Sequence, residues 1–163
     1  MIIAISGKLQ SGKDTIADYL VLKHGFTRIA FADKLKDIAK DLFNWDGVKD
    51  DSGRKLLQEL GCQMRNVRKD VWVDYVFRAI RKHNDMNWVI TDVRFLNEFK
   101  SLKLLGAKMF RVERNINRDG DIHTHPSETE LDGQIFLEII NNNSTIEELY
   151  KNIDFIFSKN SNE

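Results

Sequence analysis

Residues Gly7 to Lys13 read GKLQSGK, the G-x-x-x-x-G-K spacing of a phosphate-binding loop, between the apolar run IIAIS and a helix-forming segment. Glycines let successive backbone N–H groups turn toward an anion, and the helix that follows adds partial positive charge at its N-terminus. Lys13 can then reach the β and γ oxygens of a nucleotide. Gly7, Lys8, Ser11, Gly12 and Lys13 are the candidate phosphate ligands. The next residue breaks the usual pattern: a Ser or Thr hydroxyl there ligates Mg²⁺, and this chain carries Asp14. A carboxylate can hold Mg²⁺ directly or through a water, it also suits the first turn of a helix, and Thr15 offers a substitute hydroxyl. Asp14 therefore reads as a metal ligand, a water-mediated metal contact or a helix-end charge.

A second acid, Asp92, ends the run NWVITD, and Arg94 follows two residues on. Ligands of open parallel sheets bind at the carboxyl ends of the strands, which puts Asp92 and Lys13 on one crevice. Lys13, Asp14, Asp92 and Arg94 form a candidate catalytic set for phosphoryl transfer, with Asp14 and Asp92 as the candidate Mg²⁺ ligands. That reaction needs little beyond a nucleotide cradle, a metal and cations over the migrating group. Plainer uses exist for both later residues: Asp92 as the cap of a helix beginning VRFLNEF, and Arg94 as a surface cation.

The elements that must position these groups follow from the hydrophobic pattern. Short apolar runs at 2–6, 27–31, 87–92, 107–113 and 135–141 alternate with longer amphipathic segments. That alternation predicts an α/β fold, with a five-stranded parallel sheet flanked by helices. Ile16, Tyr19, Leu20 and Lys23 fall at helical spacing after the loop, and Leu35, Ile38, Ala39, Leu42 and Phe43 make one apolar face. Val73, Val76, Phe77 and Ile80 make another, and STIEELYKNI carries a capping-box pattern at Ser144 and Glu147 before a closing helix. Over 53–69, Leu56, Leu57, Leu60, Met64 and Val67 share one sector of a helical wheel. Arg54, Gln58, Gly61, Arg65 and Arg68 form a separate stripe without an acid. Most charged helix faces intersperse acids at i,i+4, and a mid-helix glycine costs about 1 kcal/mol, so a close approach of some group to Gly61 is expected.

Composition narrows the remaining classes. A chain of 163 residues suits a single domain, spanning 1–163. Lys plus Arg and Asp plus Glu both number 25, so no net field favours a nucleic-acid or membrane partner. One cysteine, Cys62, leaves no internal disulfide and fits a reducing, cytoplasmic setting. No apolar run approaches the roughly 20 residues needed to span a bilayer. The polar segment ERNINRDGDIHTHPSETE replaces what could be a short crossover, and it suits a lid near 114–130 that closes over a transferring group. His123 and His125 make only a lone H-x-H pair, a weak signal for zinc.

SGKLQSGKDTIAD, LLQELG, VITDVRFLNE, LGA, RVERN, THPSE and INNNSTIEELY occur here in one order. In that order they resemble the deoxynucleoside monophosphate kinases of tailed phages, over almost the whole chain. A more distant likeness is to the P-loop type of phosphomevalonate kinase, which also carries G-K-D. The resemblance implies a P-loop kinase fold with an acceptor-binding helical region near 32–84, and ATP- and Mg²⁺-dependent phosphorylation of a deoxynucleoside monophosphate. By motif, Gly7, Ser11, Gly12, Lys13 and Asp14 would hold the ATP phosphates and metal, and Arg114 and Arg118 would be lid arginines on the ATP side. Arg94, Arg54 and Gln58 would serve the acceptor. Lys36 joins them from the same region, and Arg65 and Arg68 from the helical stripe, since a monophosphate dianion suits a row of guanidinium forks. Asp14 agrees with the family, whereas Cys62 stands where a small hydroxyl residue is expected, which leaves base selectivity open. The partners implied are small molecules, with a homodimer an open question, and the setting is host cytoplasm for a phage-encoded chain. Two competitors remain: a kinase of another small phosphorylated acceptor such as phosphomevalonate, and a nucleotide-binding module without turnover. An acceptor-phosphate site separates both kinase readings from the module.

Overall fold

In the computed structural model, which describes residues 1–115 and 126–160, each apolar run becomes a strand. These are β1 (Ile2–Gly7), β2 (Thr27–Ala30), β3 (Trp88–Val93), β4 (Lys108–Glu113) and β5 (Glu138–Asn141). All pair in parallel, in the order β2-β3-β1-β4-β5. The last strand is shorter than the run at 135–141 that predicts it. Residues 135–137 lead the chain toward β5, with Phe136 packed edge-on against Phe99 at 5.1 Å.

Helices cover both faces, as a parallel sheet requires. They are α1 (Lys13–His24), α2 (Phe31–Phe43), α3 (Asp51–Val67), α4 (Val71–Lys82), α5 (Leu96–Leu104), the short α6 (Pro126–Thr129) and α7 (Ile146–Asn160). Neighbouring residues of β3 divide the core: Ile90 packs with Phe31, Trp72, Val76, Phe99 and Leu102, and Val89 with Ile16, Leu20, Phe110, Ile153 and Ile156. The first cluster belongs to α2, α4 and α5, the second to α1 and α7. Among the described residues no helix is long and apolar enough to cross a membrane.

Three local expectations meet different outcomes. First, the close approach expected at Gly61 is present and comes from α2: a Cβ there would lie 3.3 Å from Leu35 Cδ2, so the glycine permits helix packing. Accordingly α3 buries its glycine edge, Gly53 and Gly61, while Leu56, Leu57, Leu60 and Met64 are half-buried and Val67 is 89% exposed. Second, Asp92 does not cap α5. That helix begins at Leu96, and Glu98 accepts the N–H groups of Arg94 and Phe95 at 2.9 and 3.1 Å. Third, α7 is capped one residue later than predicted, by Thr145 Oγ1 accepting from Glu148 N–H at 3.3 Å.

Ile153 of α7 is fully buried against α1 and the sheet. Ile153→Ala should lower the unfolding free energy by about 2–5 kcal/mol, read from denaturant midpoints at unchanged slope. A change under 0.5 kcal/mol would mean that α7 does not close the core.

Candidate active site

The phosphate loop begins where β1 leaves the sheet. Gly7 has φ 153°, and a Cβ there would lie 2.6 Å from both Ser11 Oγ and the Val112 carbonyl of β4. Gly12 has φ 100°, and a Cβ there would come within 2.2 Å of Asn142 Nδ2. Asn142, just past β5, donates to the Ser11 carbonyl at 2.9 Å. The loop is thus wedged between a neighbouring strand and the β5 terminus, and side chains at either glycine would break the wedge. Ser11 Oγ is buried with no hydrogen-bond partner among the described residues, an uncompensated polar atom inside the cradle.

Lys13 is buried at the start of α1 and its ammonium donates to the Lys8 carbonyl at 2.8 Å, across the loop. Burial, and secondarily the Arg94 charge, pull its pKa down to about 8 against the opposing pull of Asp92, Glu128 and Asp14. An arriving phosphate would restore the missing counter-charge.

Asp92 reaches the same place through an irregularity in β3. Ala4 pairs with Ile90 but Ser6 pairs with Val93, so β3 carries one extra residue, and Asp92 takes φ 60°. Such a bulge re-aims side chains, and Asp tolerates the left-handed region better than most residues. Its carboxylate lies 3.4 Å from Arg94 Nη2. Burial pushes the Asp92 carboxyl up, and the fields of Arg94, Lys13, Lys36 and Lys49 outweigh it, leaving the group below its ordinary value. Arg94 is further paired, through Nη1, with Glu128 Oε1 of α6. The other Glu128 oxygen accepts the Leu9 N–H of the loop at 2.8 Å.

The residues expected on the acceptor side are more dispersed. Lys36 lies 3.6 Å from Asp33, close enough for its charge to act on Asp92. Arg65 stacks 3.9 Å above the Phe95 ring and stands 3.8 Å from Glu98, so it touches the turn that carries Arg94. Arg54 donates to the Lys49 carbonyl at 2.8 Å, Gln58 is exposed, and the exposed Arg68 pairs with Asp74 of α4. Asp14 is 69% exposed and pairs at 3.2 Å with Arg28 of β2, a residue without a motif in the sequence. Thr15 is half-buried in the first turn of α1, Arg114 is exposed just past β4, and Arg118, His123 and His125 lie outside the described residues.

The description "Deoxynucleotide monophosphate kinase" matches residues 45–153 of this sequence. A protein of Acanthamoeba polyphaga mimivirus, provisionally named a deoxynucleotide monophosphate kinase, is 32% identical over 94% of both chains. The chain belongs to the deoxynucleotide monophosphate kinase family. Shikimate kinase from Aquifex aeolicus superposes with a TM-score of 0.56 at 14% identity, over 99% of this chain and 98% of that one. TT1252 from Thermus thermophilus gives 0.55 at 15% identity, over 98% and 97%. Both share the P-loop kinase fold. The carboxylates of Asp14 and Asp92, both close enough to act on the Lys13 charge, are the kind of oxygen donors that suit Mg²⁺. Among the described residues no three acidic, histidine or cysteine side chains converge on one point, and Mg²⁺ is typically held by one or two carboxylates together with phosphates and waters.

Sequence motifs did not single out Arg28, Glu98, Glu128 or Asn142. Glu98, Glu128 and Asn142 had a signal available, since they sit in the quoted VITDVRFLNE, THPSE and INNNS runs, whereas Arg28 had none. Glu98 is 2% exposed, and burial pushes its carboxyl up from 4.5 to about 7 despite two backbone donors and Arg65. A raised folded-state pKa means that the folded protein holds a proton the unfolded chain has released. Stability should therefore fall as pH rises from about 4.5 to about 7, and Glu98→Gln should flatten that part of the profile. Parallel denaturation curves at pH 5 and pH 7.5 check this; an identical pH dependence in the two proteins would refute it.

Proposed function

We propose that the protein transfers the γ-phosphoryl group of ATP to a deoxynucleoside monophosphate, giving ADP and a deoxynucleoside diphosphate. The observation that carries this reading is the convergence of Lys13, Asp92 and Arg94 at the carboxyl ends of β1 and β3, beside a loop that excludes side chains at Gly7 and Gly12. Backbone donors of the loop and the Lys13 ammonium hold the β and γ phosphates of ATP. An oxygen of the acceptor monophosphate attacks the γ phosphorus in line, and the bond to the β–γ bridging oxygen breaks, so its electron pair leaves on ADP. Arg94 lies over the migrating group and balances the charge on its equatorial oxygens. Asp92 orients Arg94 and, with Asp14 or Thr15, would hold the Mg²⁺, which supplies charge neutralisation on the β and γ oxygens. Lys36 of α2 and Arg65 of α3 would serve the acceptor, with Arg54 and Gln58 nearer the start of α3 and Arg68 just past its end. Arg114, just past β4, would serve the ATP side, and so would Arg118, which lies outside the described residues.

The alternative acceptor, a small phosphorylated molecule such as phosphomevalonate, would use the same cradle, and a non-catalytic module would need only the loop. Assaying ATP with each deoxynucleoside monophosphate and with phosphomevalonate should give turnover with nucleotides alone. Turnover with phosphomevalonate alone would reassign the acceptor, and binding of ATP without turnover on any acceptor would leave a binding module. Lys13→Ala should reduce kcat on the order of 10²-fold or more with an unchanged thermal midpoint. Full activity in that variant would refute the loop assignment.

A further inference from the structure

Arg94 is held at three points. Its backbone N–H donates to Glu98 at 2.9 Å, one end of its guanidinium meets Asp92 at 3.4 Å, and the other meets Glu128. Glu128 differs from the other two carboxylates in having a second partner in the phosphate loop itself, the Leu9 N–H at 2.8 Å. We propose that Glu128 is a positioning residue: its carboxylate ties the guanidinium of Arg94 to the backbone of the phosphate loop and sets where that cation stands over the transferred phosphoryl group. The proposal rests on the kinase reading above.

A guanidinium has five N–H donors in a plane, and carboxylates at both ends of the fork fix the orientation of that plane. Donors not spent on Asp92 and Glu128 remain for phosphate oxygens. Because Glu128 also bonds Leu9, the distance between the loop that holds ATP and the cation that meets the γ-phosphoryl group is set by one side chain. The carboxylate is only 6% exposed, so water competes weakly for either bond. The space bounded by Gly7, Lys8, Arg94, Arg111 and Glu128 is about 10 Å³, room for about one water.

The segment that presents Glu128 is anchored without it. Glu130 accepts the Leu96 N–H at 2.8 Å, Lys8 lies 3.4 Å from Asp132, Arg111 donates to the Leu131 carbonyl at 3.2 Å, and Leu131 is buried in the core. Loss of the Glu128 charge should therefore alter Arg94 before it alters the fold. A fixed cation costs nothing to organise at the moment of transfer, and a displacement of about 1 Å can cost 10²-fold in rate.

The test is a double-mutant cycle on the full-length protein, with ATP and the deoxynucleoside monophosphate that wild type turns over. Glu128→Gln keeps the size but places an amide donor against the Leu9 N–H or the Arg94 guanidinium. It should lower kcat about tenfold or more, leave KM for ATP within about threefold, and shift the thermal midpoint little. In an Arg94→Ala background the same substitution should have no further effect on kcat, because Glu128 acts through Arg94. An unchanged kcat in the single variant, or an equal loss in both backgrounds, overturns the proposal while the kinase reading stands. A wild-type protein with no turnover on any deoxynucleoside monophosphate overturns the kinase reading and the proposal with it.

Discussion

A cation taken out of water must be paired, and the pairing of Arg94 organises this site. Burial alone would weaken its charge, but Asp92 and Glu128 more than restore it. Those two carboxylates come from opposite directions, one from a bulge in β3 and one from α6 beyond β4, so pairing them on one guanidinium draws the strand ends and the later segment together. Lys13 sits in the field of the same charges, with its ammonium turned onto the Lys8 carbonyl. The cradle is thus a compensated set of charges in which an incoming phosphate can exchange for internal partners.

That arrangement needs a rigid frame, and the parallel sheet supplies one. Val89 and Ile90 send their side chains into separate clusters on the two faces, so β3 cannot slip without emptying both. The phosphate loop is held from outside its own segment by the Val112 carbonyl packed beneath Gly7 and by Asn142 against Gly12. On the other side Glu98, Phe95 and Arg65 form a stacked and ion-paired turn that holds the Arg94 backbone. Burying the Glu98 carboxyl in that turn at 2% exposure disfavours its charged form, which links the site to pH even before any substrate binds.

Periodicity made all five strands and the principal helices legible, because alternation of short apolar runs and amphipathic stretches depends only on which faces are buried. The loop was legible for a different reason: the spacing of Gly7, Gly12 and Lys13 is imposed by the backbone path around an anion. The arginine stripe of α3 shows the limit. A helical wheel groups Arg54, Arg65 and Arg68, yet each is drawn to a different neighbour, a carbonyl at Lys49, the ring of Phe95 and the carboxylate of Asp74. Wheel geometry specifies a direction in space without saying which element lies there, and α2 had already claimed the Gly61 edge.

Local order thus determined the α/β class, the phosphate loop and the presence of an acid and an arginine at the end of β3. Those features follow from residues close together in the chain, where backbone geometry translates directly into position. Tertiary packing determined that Asp92 turns into the site through an extra residue in β3, and that Arg28 meets Asp14 across 14 positions. It also placed Glu128, 119 positions from Leu9, between the loop and Arg94. Such contacts depend on how the strands are ordered and on which buried charges must find partners, and neither is written in the spacing of any single segment.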